Sequence, residues 1–158
     1  MKIKISALVA FFGSIVVIIG MFMPWISMRL TVYYDTVDIA TGWEILTGDG
    51  SGATYALLAF IMTLAVFAIA IINLIKAKFI VSASLNIVTM AFGVLIFILI
   101  FLSTTEIIGP IPPPEPFSFT PHLIGGVGIL VSVIGGSIIA IAGIAGTISA
   151  VRARKYNF

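Results

Sequence analysis

No charged side chain lies between Lys4 and Arg29, between Asp49 and Lys76, between Lys78 and Glu106, or between Glu115 and Arg152. Each gap exceeds the roughly 20 apolar residues that a helix rising ~1.5 Å per residue needs to cross a ~30 Å hydrocarbon layer. The chain therefore reads as an all-α membrane protein, a four-transmembrane-helix bundle forming a single domain over residues 1–158. Spans are expected at about Ile5–Ile26, Ala53–Ile75, Phe79–Leu102 and Leu123–Val151, joined by outer loops at 27–52 and 103–122. With 61% hydrophobic residues, 9% charged residues and a mean hydropathy of +1.28, no room is left for a water-exposed globular domain.

Four spans put the N-terminal tail, the middle hairpin turn and the C-terminal tail on one side. Those segments carry Lys2, Lys4, Lys76, Lys78, Arg152, Arg154 and Lys155, which leaves only Arg29 for the other side. The Lys/Arg asymmetry predicts that both termini are cytoplasmic in a multi-pass protein of the cell membrane. All six acids, Asp35, Asp38, Glu44, Asp49, Glu106 and Glu115, then face outward. Three or five spans would scatter both signs. The net charge of +2 reads as anchors beside anionic headgroups, and no nucleic-acid partner is expected. Lys2 and Lys4 ahead of an apolar run imitate a signal peptide. The run is too long for one and has no small-x-small cleavage site before Pro24, so a retained helix is expected.

Functional sites inside a bilayer usually carry an ionisable residue, whose burial costs ~2.5–3.5 kcal/mol even on the lenient insertion scale. None stands at depth here, which argues against a proton-coupled transporter of the small four-span type. Cysteine is absent, so disulfides and quinone-linked thiol chemistry are excluded, and a single histidine, His122, argues against a bis-imidazole haem. His122 is expected to be an interfacial or capping residue. No catalytic residue, metal site or cofactor is predicted, and the chain is not expected to be an enzyme. Of the neutral polar residues, Asn73 lies near the cytoplasmic headgroups and Asn86 some ~12 Å in from Lys78, with Thr63 and Thr89 at matching depths. Interhelical hydrogen bonds are their expected role.

The first outer loop alternates apolar Met28, Leu30, Val32 and Tyr34 with Arg29, Thr31, Tyr33 and Asp35, and does so again from Val37 to Ala40. This period of two predicts a small β-ribbon turning at Asp35-Thr36. Thr41-Gly-Trp-Glu44 predicts a short helix closed by a capping box, and Gly48-Asp-Gly-Ser-Gly52 a flexible turn into the second span. In the second loop, Pro110, Pro112, Pro113, Pro114 and Pro116 predict a stiff polyproline arm. Phe117-Ser-Phe-Thr120 is expected to add an edge to the ribbon, and Thr120 and Pro121 to cap the fourth span. Trp25 reads as an aromatic-belt residue. Trp25, Trp43, Phe117 and Phe119 are the residues expected to mediate outer-loop interactions.

Span four carries the clearest packing signal. Gly128, Ser132, Gly136 and Ala140 recur every fourth residue, a stripe that lets another backbone approach closely. Its partner is another span or another copy. Ser6, Ala10 and Ser14 make span one the natural neighbour.

The layout of four spans, a ribbon-forming first outer loop with Gly42-Trp43 and a shorter second loop ending in a strand resembles the claudin and peripheral-myelin-protein group. The general plan is also similar to the tetraspanins, and Pro24-Trp25, Gly42-Trp43 and Gly48-Asp-Gly50 resemble those of small uncharacterised four-span prokaryotic proteins. The chain departs from claudins and tetraspanins in having no cysteine. The resemblance implies lateral assembly through the outer loops and membrane organisation, without catalysis. The expected function is a non-enzymatic membrane protein that associates with itself or with other membrane subunits. An accessory subunit of a larger respiratory or oxidase-type complex is the alternative, and an oligomeric transporter or channel for a neutral solute is a further one.

Overall fold

The computed structural model describes residues 2–29, 36–49, 52–75, 79–108 and 122–155. Helix α1 (Lys2–Phe22) runs into strand β1 (Pro24–Arg29), followed by β2 (Thr36–Thr41), a short helix α2 (Gly42–Thr47), α3 (Ala53–Ile75), α4 (Phe79–Ile108), β3 (His122–Gly125) and α5 (Val127–Lys155). Helices α1, α3, α4 and α5 are each long and apolar enough to cross a membrane, which fits a four-span membrane protein. One end of this bundle carries the three-stranded sheet.

Five boundaries differ from those read in the sequence: α1 begins at Lys2 and not Ile5, α5 ends at Lys155 and not Val151, and three further differences have a local cause. Span one stops at Phe22 and not at Ile26, because Pro24 disfavours helix at the residue before it and opens strand β1 instead. The third span runs on from Leu102 to Ile108. Its extra turns hold hydroxyls that bond back into the structure: Thr104 donates to the Ile100 carbonyl at 2.8 Å, and Ser103 to the Gly52 carbonyl at 3.0 Å. The fourth helix starts at Val127, since His122–Gly125 is strand; Thr120 and Pro121, expected to cap it, lie outside the described residues.

The sheet order is β2-β1-β3, antiparallel throughout. Strand β1 pairs Ser27 with Asp38 and Met28 with Val37 on one side, and Ser27 with Ile124 and Met28 with Leu123 on the other. The ribbon therefore begins four residues earlier than Met28, while the residues from Leu30 to Asp35 lie outside those described and Thr36 is already in β2. The expected extra edge from Phe117 to Thr120 also lies outside them. The strand that does pair with β1 is His122–Gly125.

Inside the bundle, 44% of the α1 span and 39% of the α5 span are buried, against 28% for each of α3 and α4. The α1–α5 pair is thus the spine, with α3 and α4 laid against it. The core changes character along its length. Near the sheet it is filled by Val17, Met21, Trp25, Val66, Ile96, Ile100 and Ile139, whereas the other half is closed by Ala10, Ala70 and Ala142 with Phe11 alongside. Phe11 stacks on Phe67 of α3 with ring centroids 4.9 Å apart.

The stripe on α5 is divided between two neighbours of the same chain. A Cβ added at Gly128 would sit 2.7 Å from the Gly20 carbonyl oxygen, and one at Gly135 would sit 2.8 Å from the Val17 nitrogen, so this face lies directly on the α1 backbone. The adjoining face meets α4, where a Cβ at Gly93 would lie 2.8 Å from the Ala140 Cα and one at Gly143 2.6 Å from the Met90 Cα. Gly136, at the centre of the every-fourth pattern, is roomier: its Cβ would find Ile96 Cγ2 at 3.4 Å and the Phe97 nitrogen at 3.6 Å.

These distances separate two neighbouring glycines sharply. Gly135→Ala is expected to lower stability in detergent by ~1–3 kcal/mol through overpacking against backbone. Gly136→Ala should stay within ~0.5 kcal/mol of the parent. Thermal unfolding followed by circular dichroism reads both, and equal melting temperatures for the two variants would refute the division of the stripe.

Candidate functional site

The described residues offer two places where polar or aromatic groups converge. The first is the junction between bundle and sheet, built around Trp25. Helix α1 ends there because Pro24 follows, which leaves carbonyls of its last turn without helical partners. The indole of Trp25 folds back and its Nε1–H donates to the Gly20 carbonyl at 2.9 Å, while the Met23 amide donates to the same oxygen at 3.2 Å. Trp25 is completely buried, contrary to its expected place in an aromatic belt. Two glycines make the space for the ring, and a third lets backbones meet beside it. A Cβ at Gly42 would stand 2.5 Å from the indole nitrogen, one at Gly128 would stand 2.6 Å from Cδ1, and one at Gly126 would press on Pro24. Backbone bonds complete the joint: the Gly42 amide donates to Met23 O at 3.3 Å and the Gly126 amide to Trp25 O at 2.8 Å. Through this one residue, α1, α2, the sheet and the start of α5 are fixed to each other.

Around the plug the surface is aromatic. Trp43, 40% exposed on α2, stacks on Phe22 at 5.3 Å and meets the ring of Phe60 edge-on at 5.9 Å. Of the residues expected to act in the outer loops, Trp43 is therefore displayed and Trp25 is not. Phe117 and Phe119 lie outside the described residues.

Helix α2 is held by the capping box that its sequence predicts. The Glu44 amide donates to Thr41 Oγ1 at 3.2 Å, and the Glu44 carboxylate accepts from the Thr41 amide at 2.8 Å and from its hydroxyl at 2.9 Å. The backbone bond from Thr41, followed by the hydroxyl bond, holds the Glu44 carboxyl below its usual pKa. Gly52 starts α3 with φ +84°, a left-handed conformation that suits glycine, and its carbonyl receives the Ser103 hydroxyl of α4.

The second place is at the opposite end, where Asn73 of α3 donates through Nδ2 to Asn86 Oδ1 of α4 at 3.3 Å. Both are buried, and the Asn86 amide fits because Gly146 of α5 has no side chain: a Cβ there would lie 2.5 Å from Asn86 Cγ. The Nδ2 of Asn86 has no hydrogen-bond partner, nor does the buried Ser132 hydroxyl, which rests against Gly20. Thr63 and Thr89 do not bond between helices as expected. Their hydroxyls donate to Ala59 O at 2.7 Å and Leu85 O at 2.8 Å within their own helices, which satisfies them locally.

Among the described residues, no group of three or more His, Asp or Glu side chains is placed to hold a metal ion. His122 lies in β3 opposite Arg29. No family model, curated protein or solved structure matches the chain, and the likeness to claudins and tetraspanins stands at the level of four-span topology.

Sequence reading missed the role of Gly13, Gly20, Gly93 and Gly126. A usable signal was present for two of them: Gly13 and Gly20 are seven residues apart, as are Gly128 and Gly135, and the two pairs meet in antiparallel register.

Two outcomes are expected at the sheet junction. Trp25→Ala empties the plug and should cost ~3–5 kcal/mol, whereas Trp25→Phe keeps most of the volume and should cost ~1 kcal/mol, because the Gly20 carbonyl loses the indole donor but keeps the Met23 amide. Denaturant unfolding in detergent measures both, and a Trp25→Ala protein as stable as the parent would remove the plug from its central place. The Glu44 carboxyl, having a folded pKa below its unfolded one, stabilises α2 above the ordinary carboxylate range. That contribution is lost as pH falls through that range toward the folded value. Acid titration of Trp43 fluorescence should accordingly report loosening of α2, and Glu44→Gln should flatten that response.

Proposed function

We propose that this chain is a non-enzymatic integral protein of the cell membrane, with both termini cytoplasmic, that associates laterally through the surface at its sheet end. The observation that carries the reading is the Trp25 plug. It turns what would be a loose loop into a platform rigidly seated on the bundle, with Trp43 and Phe22 displayed beside it. Rigid aromatic side chains lose little entropy on burial, which is why they anchor interfaces. Strands β2 and β3 each have an unpaired edge among the described residues, a second feature able to take a partner strand.

Orientation follows from charge. Antiparallel packing of α1 on α5 brings the basic ends of both helices together, and the described acids Asp38, Glu44, Asp49 and Glu106 occur in the segments at the sheet end. Excess Lys/Arg supports a cytoplasmic assignment for the end away from the sheet. The α5 stripe is occupied by α1 and α4 and is therefore not the assembling surface, so association is assigned to the sheet end. This plan agrees with what the resemblance to claudins implies.

The test is the mass of the purified chain in mild detergent by light scattering, together with cross-linking in native membranes. The parent is expected to be oligomeric or partner-bound, and Trp43→Ser to weaken association at least several-fold in protein that circular dichroism shows to be folded. A strictly monomeric parent in both settings would overturn the proposal. Stoichiometric recovery with cofactor-bearing subunits would instead assign the chain as an accessory subunit of a larger complex.

A further inference from the structure

Beyond that reading, we propose that the seam between α4 and α5 is a binding site for an anionic phospholipid, with one acyl chain in the seam and the phosphate beside Arg152. Midway along the seam is a cavity of about 220 Å³ lined by Gly93, Val94, Phe97, Ser137, Ala140 and Ile141. It exists because Gly93 brings the two backbones together at Ala140 while Val94, Phe97 and Ile141 project outward on either side. The Ser137 hydroxyl donates to Val133 O at 2.8 Å within its own helix, so a hydrocarbon occupant leaves it satisfied. The groove is thus apolar in effect and takes a chain with no polar atoms.

The seam leads from this groove to positive charge. Ile141, Ile144, Ile148 and Arg152 follow one another at intervals of three, four and four residues, which keeps them on one face of α5, and all four are exposed. Ile141 to Arg152 is a rise of ~16 Å, close to the ~15 Å of one hydrocarbon leaflet. A lipid with its phosphate at Arg152 therefore lays its chain along the three isoleucines and ends it in the groove. Arg154 and Lys155 occupy the last turn of the same helix, and Lys2 and Lys4 begin α1, which packs antiparallel to it. Neither helix contains an acidic residue. This charge complementarity selects an anionic headgroup over a zwitterionic one.

Native mass spectrometry of the full chain, in mild detergent with equal amounts of dioleoyl phosphatidylglycerol and dioleoyl phosphatidylcholine, tests the site. One retained phosphatidylglycerol per chain is expected, undiminished by excess inorganic phosphate. Arg152→Gln should lower its retention about fivefold, and Ser137→Leu, which fills the groove from its floor, should lower retention of the lipid with the headgroup charge intact. Circular dichroism on both variants establishes that they are folded; both positions border the lipid-facing seam and tolerate the change. Equal retention of the two lipids, or unchanged phosphatidylglycerol retention in both variants, overturns the proposal. Loss of the lipid to free phosphate reduces the site to a phosphate contact and also overturns it. A dimer that forms only with Ser137 intact, with no lipid adduct, assigns the groove to a second copy and does the same.

Discussion

The bond from the Trp25 indole to the Gly20 carbonyl is the constraint on which the remaining architecture depends. A helix broken by proline at the edge of a bilayer leaves carbonyls that must find donors, and an indole supplies one while filling the space that the break opens. The arrangement works only because Gly42 and Gly128 leave room for the ring, while Gly126 lets its backbone lie against that of Pro24. Burying the indole draws α2 over the end of α1, fixes β1 across the bundle, and places the first residues of α5 against the same ring. Packing and hydrogen bonding are inseparable at this point.

Below the junction, backbone contact takes over from side-chain volume. In a bilayer the hydrophobic effect does not drive helices together, so stability comes from close packing. Gly13, Gly20, Gly128 and Gly135 provide it between α1 and α5, and Gly93 and Gly143 between α4 and α5. Helix α5 has small residues on two adjacent faces, which explains why its every-fourth pattern looked like one interface. The narrowing toward Ala10, Ala70 and Ala142 follows the same logic. At that end Gly146 admits the Asn86 amide, whose Nδ2 has no hydrogen-bond partner among the described residues.

The spans were legible because charge is excluded from a bilayer over a known length, and this rule needs no knowledge of tertiary contacts. The capping box at Thr41 and Glu44 was legible for a similar reason, being complete within four residues. Trp25 was not. A tryptophan after a proline at the end of a span has the local appearance of a belt residue, and its burial depends on Gly42 in another element and on Gly128, more than 100 positions away in the chain. The pairing of β1 with His122–Gly125 was hidden likewise, since a four-residue strand adjoining a helix leaves little periodicity to read.

The position of β1 in the middle of the sheet has a consequence for how the protein is made. Its first partner, β2, leaves the ribosome soon after it, but its second partner comes only after about 90 further residues, which takes several seconds at ordinary synthesis rates. The glycine face of α1 waits for α5 over the same interval. Helices α1 and α5 thus form the central pair, and closure of the fold is deferred until residues 122–155 have been made. During that interval the early hairpin presents an unpaired strand and an uncovered helix face, features that invite the attention of insertion chaperones. A topology that packs α1 on α5 and pairs β1 with β3 makes synthesis of residues 122–155 a condition for the stability of the elements before them.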